Sequence, residues 1–524
     1  LNSPTEKQER GLKGRLVSGL SAKIFTLSTI IVTQLILLPF FIKAWGADTY
    51  QSWLVILSAA SLLGLGEFGI GNYLRSAIRM AGAAGNIEKV NRFLAIAAVL
   101  YAGVFCFLLT VVMSFSYLMH SFDVFGNLNI RKEQIIFIFC ILSANSIIYL
   151  LIGPVTAISH GYGEQGRAEV WHGSRNVAQI VVTICFLLLG LTPVWVASGH
   201  LAVTILIVFL RFVDVGRRHP QVRFSMAIPT RSELHEATKI SGLHVMPTWQ
   251  IPIINSAPIL LLNSLATFGL AAVTFRTSQT FIGFVRMFSW VFLQVTGVEL
   301  SRQFGQNAQT AQTRLFENCF RIVAMAIGFL SGFVVFISGP FIHLWTRGEV
   351  PYDQWLIIVL IVRIFICAPA VAAHLFFQNT NQPAPAAISS TMYIGVFLIL
   401  GVFLIPPYGA LGAAVALFAG EAVSGPFYIY PKACKFLKVD AARLALRSYG
   451  MAIVTFGISG SLAYLAILPF EFKSILELLA AGVIWGGLTV FPALWLLFTN
   501  SQRQWLWSVA QGLLGRLRRG AKQS

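Results

Sequence analysis

FLAIAAVLYAGVFCFLLTVVMSFSYLM, residues 93–119, contains no Asp, Glu, Lys or Arg. As a helix it is about 40 Å long, more than the roughly 30 Å thickness of bilayer hydrocarbon. It does not alternate polar with apolar residues, which excludes the strand of a porin-type barrel. Residues 135–159, 245–275 and 384–420 are equally free of charge. The 524-residue chain is 56% hydrophobic and 11% charged, with a mean hydropathy of +0.74. Soluble domains carry about a quarter of their residues as charges, so most of this surface does not meet water.

Fourteen spans are expected, near 20–43, 50–73, 93–118, 134–158, 174–191, 194–213, 240–263, 267–298, 322–344, 354–377, 385–406, 409–430, 448–470 and 475–498. Leu191-Thr192-Pro193 and Pro406-Pro407-Tyr408-Gly409 read as tight outer turns. The net charge of +18 fits retention of basic loops on the cytoplasmic side, and no soluble domain exists to bind nucleic acid. Arg10, Arg75, Arg92, Arg217, Lys435 and Arg518 represent clusters that fall on one side when both termini are cytoplasmic. The start of the chain has no signal-peptide pattern. The six cysteines form no CxxC or metal-ligand spacing.

The expected organisation is a cytoplasmic N-terminus (1–19), a first lobe (20–213), a basic cytoplasmic linker (214–239) and a second lobe (240–430). Two more helices (448–498) and an amphipathic cytoplasmic helix (501–522) complete it. The fold class is therefore all-α integral membrane, with about 14 helices in two pseudo-symmetric six-helix lobes plus two. A repeat supports the lobes. Trp45-Gly46-Ala47 corresponds to Phe268-Gly269-Leu270, and Gly153-Pro154 to Ala368-Pro369, in the same order along the chain.

Arg276, Arg286 and Arg363 lie well inside apolar spans. Each costs about 2.5–3.5 kcal/mol at a helix centre unless water, a partner or a ligand receives it. Arg175 and Lys23 stand near span ends, where the headgroup region or a cavity mouth could hold them. Glu421 is the carboxylate expected near mid-membrane, with Glu67 nearer an end. Surplus cation over acid points to an anionic substrate, and guanidinium suits bidentate contact with phosphate. His244 and His374 read as packing residues or a proton relay. Pro247 and Pro252 are expected to break the seventh span, as a hinge or a packing kink. No GxSxG, Walker A, HExxH or paired outer carboxylates occur, so no enzyme is expected.

Gly64-Leu65-Gly66-Glu67-Phe68-Gly69-Ile70-Gly71-Asn72-Tyr73-Leu74-Arg75 resembles the second-helix signature of Wzx-type polysaccharide and O-antigen flippases. These form the polysaccharide branch of the multidrug/oligosaccharidyl-lipid/polysaccharide (MOP) exporter superfamily. Tyr408-Gly409-Ala410-Leu411-Gly412-Ala413-Ala414 resembles their turn between helices eleven and twelve. Two departures stand out: Glu67 occupies a position where Asp is frequent, and the first span has no acid. The resemblance implies a MATE-like fold that flips an undecaprenyl-pyrophosphate-linked oligosaccharide across a bacterial inner membrane by alternating access. Its partners would be that lipid, the surrounding membrane lipids, and a polysaccharide polymerase and chain-length regulator. No cofactor is implied, and the driving force would be a proton, sodium or membrane-potential gradient. The alternatives are a cation-coupled multidrug antiporter of the same superfamily and a membrane subunit of a polysaccharide synthase.

Overall fold

All fourteen expected spans fall largely on helix in the computed structural model, which describes residues 4–122, 125, 128–222, 229–242, 244–266, 269–305, 309–379 and 383–497. The helices are α1 (Pro4–Ser61), α2 (Ile70–Ala83), α3 (Ile87–Phe122), α4 (Lys132–Leu150), α5 (Ile152–Gly161) and α6 (Gln165–Leu188). They continue as α7 (Pro193–Arg218), α8 (Arg231–Gly242), α9 (Val245–Leu265), α10 (Ala271–Gly305), α11 (Gln309–Thr346) and α12 (Gln354–Cys367). The last are α13 (Val371–Asn379), α14 (Pro383–Ser424), α15 (Tyr430–Leu437), α16 (Ala441–Ile467) and α17 (Ile475–Leu497). Among the described residues, nine helical stretches are long and apolar enough to cross a membrane. Those containing α1 and α14 each hold two expected spans, and α6, α10 and α17 carry the remaining three. The chain is an all-helical, multi-pass membrane protein.

Glycines allow α1 and α14 to double back. Gly46 has φ 75° and Gly409 has φ 52°, both in the left-handed region that side chains avoid. A straight helix would separate Phe41 from Trp53 by about 18 Å. Their ring centroids are instead 6.3 Å apart. At the second reversal, a Cβ on Gly412 would fall 2.1 Å from the Leu404 carbonyl oxygen. The expected turn at Pro406-Pro407-Tyr408-Gly409 is therefore present, and its neighbour Gly412 is sterically required. Gly412→Ala is expected to destabilise the protein by about 1–3 kcal/mol through overpacking. A Cβ on Gly103 meets open space, so Gly103→Ala should be neutral or slightly stabilising. Thermal unfolding of the two variants side by side checks the contrast. Equal midpoints would contradict the hairpin.

Spans four and ten, which the repeat pairs, are interrupted at matching places. The α4–α5 break precedes Gly153-Pro154, and a 3₁₀ turn at Ala368–Ala370 separates α12 from α13. In the 214–239 segment, α7 runs on to Arg218 and α8 forms a helix of its own. Thr230 and Glu233 cap α8 reciprocally, with the Glu233 side chain accepting from the Thr230 backbone N–H at 2.7 Å. Arg92 grips the same carboxylate and holds it well below its usual range, at about 2.

Two compact units emerge. The first comprises Leu1–Thr280, Trp345–Pro351 and Gln382–Ser424. Ile56, Leu74, Ile138, Val155 and Val196 are fully enclosed in its core. Outward-facing Met113, Phe122 and Leu188 are more than two-thirds exposed, as side chains meeting lipid should be. The second comprises Phe281–Leu344, Tyr352–Asn381 and Gly425–Ser524. In it, Gly328 and Gly332 bring α11 against α16: Cβ atoms there would lie 2.3 Å from the Ala452 oxygen and 2.6 Å from the Phe456 oxygen. The G-x-x-x-G spacing permits this approach, and Ser459 Oγ donates to the Phe329 carbonyl at 2.5 Å. The amphipathic helix expected over 501–522 lies outside the described residues.

Candidate substrate cavity

The glycine-rich signature places a buried carboxylate. A 3₁₀ turn, Leu62–Glu67, ends at Phe68 (φ 47°) and Gly69 (φ 73°), and α2 starts immediately after. A Cβ on Gly71 would sit 1.7 Å from Glu67 Oε1, so a larger residue there would displace the carboxylate from this position. Glu67, 7% exposed, accepts a hydrogen bond from the Tyr101 hydroxyl at 3.0 Å. Arg75 Nη1 stands 3.8 Å from the same oxygen, and its Nη2 donates to Asn72 Oδ1 at 2.6 Å.

Beside this group the first unit contains a cavity of about 360 Å³, walled by parts of α2, α4, α5, α6 and α7. Arg75, Arg175 and Arg211 line it, together with Glu67, Glu169 and Tyr149. The Arg175 guanidinium lies 3.9 Å from the centroid of the Tyr149 ring, a cation–π geometry. Its Nε donates to Thr204 Oγ1 at 3.2 Å, and that hydroxyl donates to Asn145 Oδ1 at 2.6 Å. The Tyr149 hydroxyl bonds His172 Nδ1 at 2.8 Å. Among the described residues, no carboxylate lies within ion-pair distance of Arg175.

Arg211 is 1% exposed. Its Nη2 donates to Ser159 Oγ at 3.3 Å, while Nη1 has no hydrogen-bond partner and stands 3.9 Å from Asp214 Oδ2. Asp214 is already shared. It takes a forked contact from Arg167, a bond from Trp171 Nε1 at 3.0 Å, and a 3.6 Å contact from Arg218. Glu164 takes a further contact from Arg218 at 3.0 Å, so two carboxylates serve the guanidinium groups of Arg167, Arg211 and Arg218, and one positive charge is left over. Chemically, the arrangement can hold an anion.

Of the expected site residues, Arg175 and Glu67 come together at this cavity. Arg276 is also in the first unit, on α10, but does not line the cavity; its Nη1 reaches Gln279 Oε1 at 3.4 Å and its electrostatic neighbour is Tyr50. No carboxylate lies within ion-pair distance of Arg276 among the described residues. Arg286 and Arg363 belong to the second unit, with Arg363 3% exposed on α12. Glu421 is 7% exposed on α14. The Lys23 side chain lies outside the described residues. His244 immediately precedes α9 without a side-chain capping bond, and His374 pairs with Gln378 at 2.9 Å.

The expected seventh span is divided between α8, which ends at Gly242, and α9, which starts at Val245 just before Pro247 and runs continuously to Leu265. Pro247 lies in the first turn of α9, where a missing N–H leaves no bond unmade, and Pro252 is accommodated inside the helix. Arg75 and Arg211 were not expected in a site: Arg75 was read among the basic cytoplasmic clusters, and Arg211 was given no role. The spacing of Arg211 and Asp214, one helical turn apart at the end of an apolar run, was the signal available.

The chain matches no protein-family profile and no curated protein. Among solved structures it is similar to the lipid II flippase MurJ in an inward closed conformation, with a TM-score of 0.66 and 12% identity, over 92% of this chain and 98% of that one. An inward-facing multidrug resistance MATE family transporter of the MOP superfamily gives a TM-score of 0.60 and 15% identity, over 82% and 98%. A MOP superfamily transporter from Pyrococcus furiosus, described as having a binding pocket of reverse polarity, gives 0.55 and 15%, over 82% and 96%. These likenesses define the class: a helical membrane protein with the MurJ and MATE fold, shared by flippases and transporters.

Proposed function

We propose that this protein is a Wzx-type flippase, moving an undecaprenyl-pyrophosphate-linked oligosaccharide from the inner to the outer leaflet of a bacterial inner membrane. The product would feed O-antigen or exopolysaccharide assembly, where a polymerase and chain-length regulator take it up. The observation that carries this reading is Arg175, a guanidinium facing the cavity with an aromatic ring behind it and no acid partner among the described residues. Such a group is available to an incoming anion and matches phosphate geometry. Arg276 adds a second cation of the same kind in the same unit. The fold of a lipid II flippase adds support at the level of architecture.

A cation-coupled antiporter is the competing reading, since MATE transporters share the fold. It requires a carboxylate free to exchange a cation. Glu67 is engaged by Tyr101 and Arg75, which favours the anionic cargo. A proton or cation step, if the cycle uses one, is assigned to Glu421.

Arg276 and Arg363 test the wider reading. Alanine at either position is expected to abolish glycan export with the protein still assembled, and lysine to restore part. Surface glycan and membrane protein level are measured in the same cells. Lost protein would instead identify a structural ion pair, because an orphaned buried charge is strongly destabilising.

A further inference from the structure

The cavity is stitched to α9, which belongs to the same compact unit. Arg75, which lines the cavity, donates to Asn72 Oδ1 at 2.6 Å, and Asn72 Nδ2 donates to Thr248 Oγ1 on α9 at 2.7 Å. The neighbouring Trp249 Nε1 donates to the Leu65 carbonyl at 2.7 Å, within the turn that carries Glu67. At the next residue, Gln250 Oε1 accepts from Ser390 Oγ on α14 at 2.7 Å. Gly69 is pressed against this same junction: a Cβ there would lie 2.5 Å from the Ser241 oxygen and 3.0 Å from the His244 Cβ. The 3₁₀ turn and the two left-handed residues after it are a form of backbone break that often marks a hinge.

We propose that Asn72 and Arg75 form a latch by which an anion in the first-unit cavity releases α9. This rests on the reading of the cavity as an anion site. Arg75 is the shared component. Its side chain is 39% exposed, and its guanidinium stands 3.8 Å from Glu67 and has its shortest bond to Asn72. A phosphate-class anion attracts that guanidinium more strongly than a neutral amide does. When Arg75 turns to the anion, Asn72 loses the contact that orients its amide toward Thr248. The stitch between α2 and α9 then loosens, and through Gln250 the start of α14 is affected too. Glu67 holds the other side of Arg75, so the arginine returns once the anion leaves. Asn72 and Thr248 are positioning residues, since neither lines the cavity.

Linkage sets the sign of the test. If the anion must loosen the latch in order to bind, a latch already loosened binds the anion more tightly. Thr248→Val keeps the shape of the side chain and removes the acceptor; Thr248→Ser keeps the acceptor. Trp249→Phe removes the parallel bond to Leu65. The full-length chain, purified in detergent, is titrated calorimetrically with inorganic pyrophosphate. Thr248→Val and Trp249→Phe are expected to bind about fivefold tighter than wild type, the scale of one hydrogen bond. Thr248→Ser should match wild type, and Arg175→Ala should bind at least about tenfold more weakly. A purely structural role for Thr248 predicts the opposite sign, since a loosened fold weakens binding. Unchanged or weaker affinity in both Thr248→Val and Trp249→Phe, with wild type binding, overturns the latch and leaves the anion site standing. Undiminished binding by Arg175→Ala places the anion elsewhere and overturns the latch as well. No binding by wild type removes the anion reading and the latch together.

Discussion

Arg175→Ala is expected to reduce glycan export about 10- to 150-fold while the protein stays in the membrane at its normal level. That range corresponds to losing a charge-assisted contact of about 1.5–3 kcal/mol with the cargo. Level and export separate here because Arg175 leaves few orphans behind. Thr204 still bonds Asn145 at 2.6 Å, and Tyr149 still bonds His172 at 2.8 Å. Arg175→Lys keeps the charge but loses the planar fork and the guanidinium's place over the Tyr149 ring, so it should recover only part of the loss. Quantitative surface-glycan staining against membrane protein level measures the effect. Full export by the alanine variant would leave the cavity without a role in transport.

Asp214→Ala should do the reverse and remove the protein itself. Asp214 is the common partner of Arg167, Trp171, Arg211 and Arg218, so it ties α6 to the end of α7. Removing it strands Arg211, which is 1% exposed and already has one nitrogen without a hydrogen bond. Breaking a buried pair in this way costs about 3–5 kcal/mol. Membrane level should fall sharply and the thermal midpoint should drop. Asp214→Asn retains an acceptor for the Trp171 indole and should fall between alanine and wild type. A stable Asp214→Ala protein would mean that water or the lipid interface, rather than Asp214, solvates these guanidinium groups.

The two variants mark what was legible in the sequence. Uncharged runs such as 93–119 reveal the fold directly, because hydrocarbon thickness imposes a length that a reader can measure along the chain. Gly409 and Gly412 announce their hairpin, since a tight reversal needs residues without a Cβ. The cavity was only partly legible. Arg175 stood out as a cation entering an apolar span, whereas Arg75 and Arg211 look like ordinary loop-facing arginines. Their inward orientation depends on how α2 and α7 pack, which no local pattern encodes. Pro247 depends on where a helix begins. It reads as a helix breaker until the start of α9 is known, and the first turn is where proline does no harm. Glu67 falls between these cases: its carboxylate is visible in the signature, but the need for Gly71 beside it appears only in three dimensions.

Reconstitution tests the central claim most directly. The purified full-length chain is placed in proteoliposomes containing a fluorescent undecaprenyl-pyrophosphate-linked oligosaccharide, and the fraction reaching the opposite leaflet is read by surface quenching. Wild type is expected to translocate the lipid, Arg175→Ala to do so at least about tenfold more slowly, and Arg175→Lys to lie between. Absence of translocation by wild type, or equal translocation by wild type and Arg175→Ala, would contradict the account.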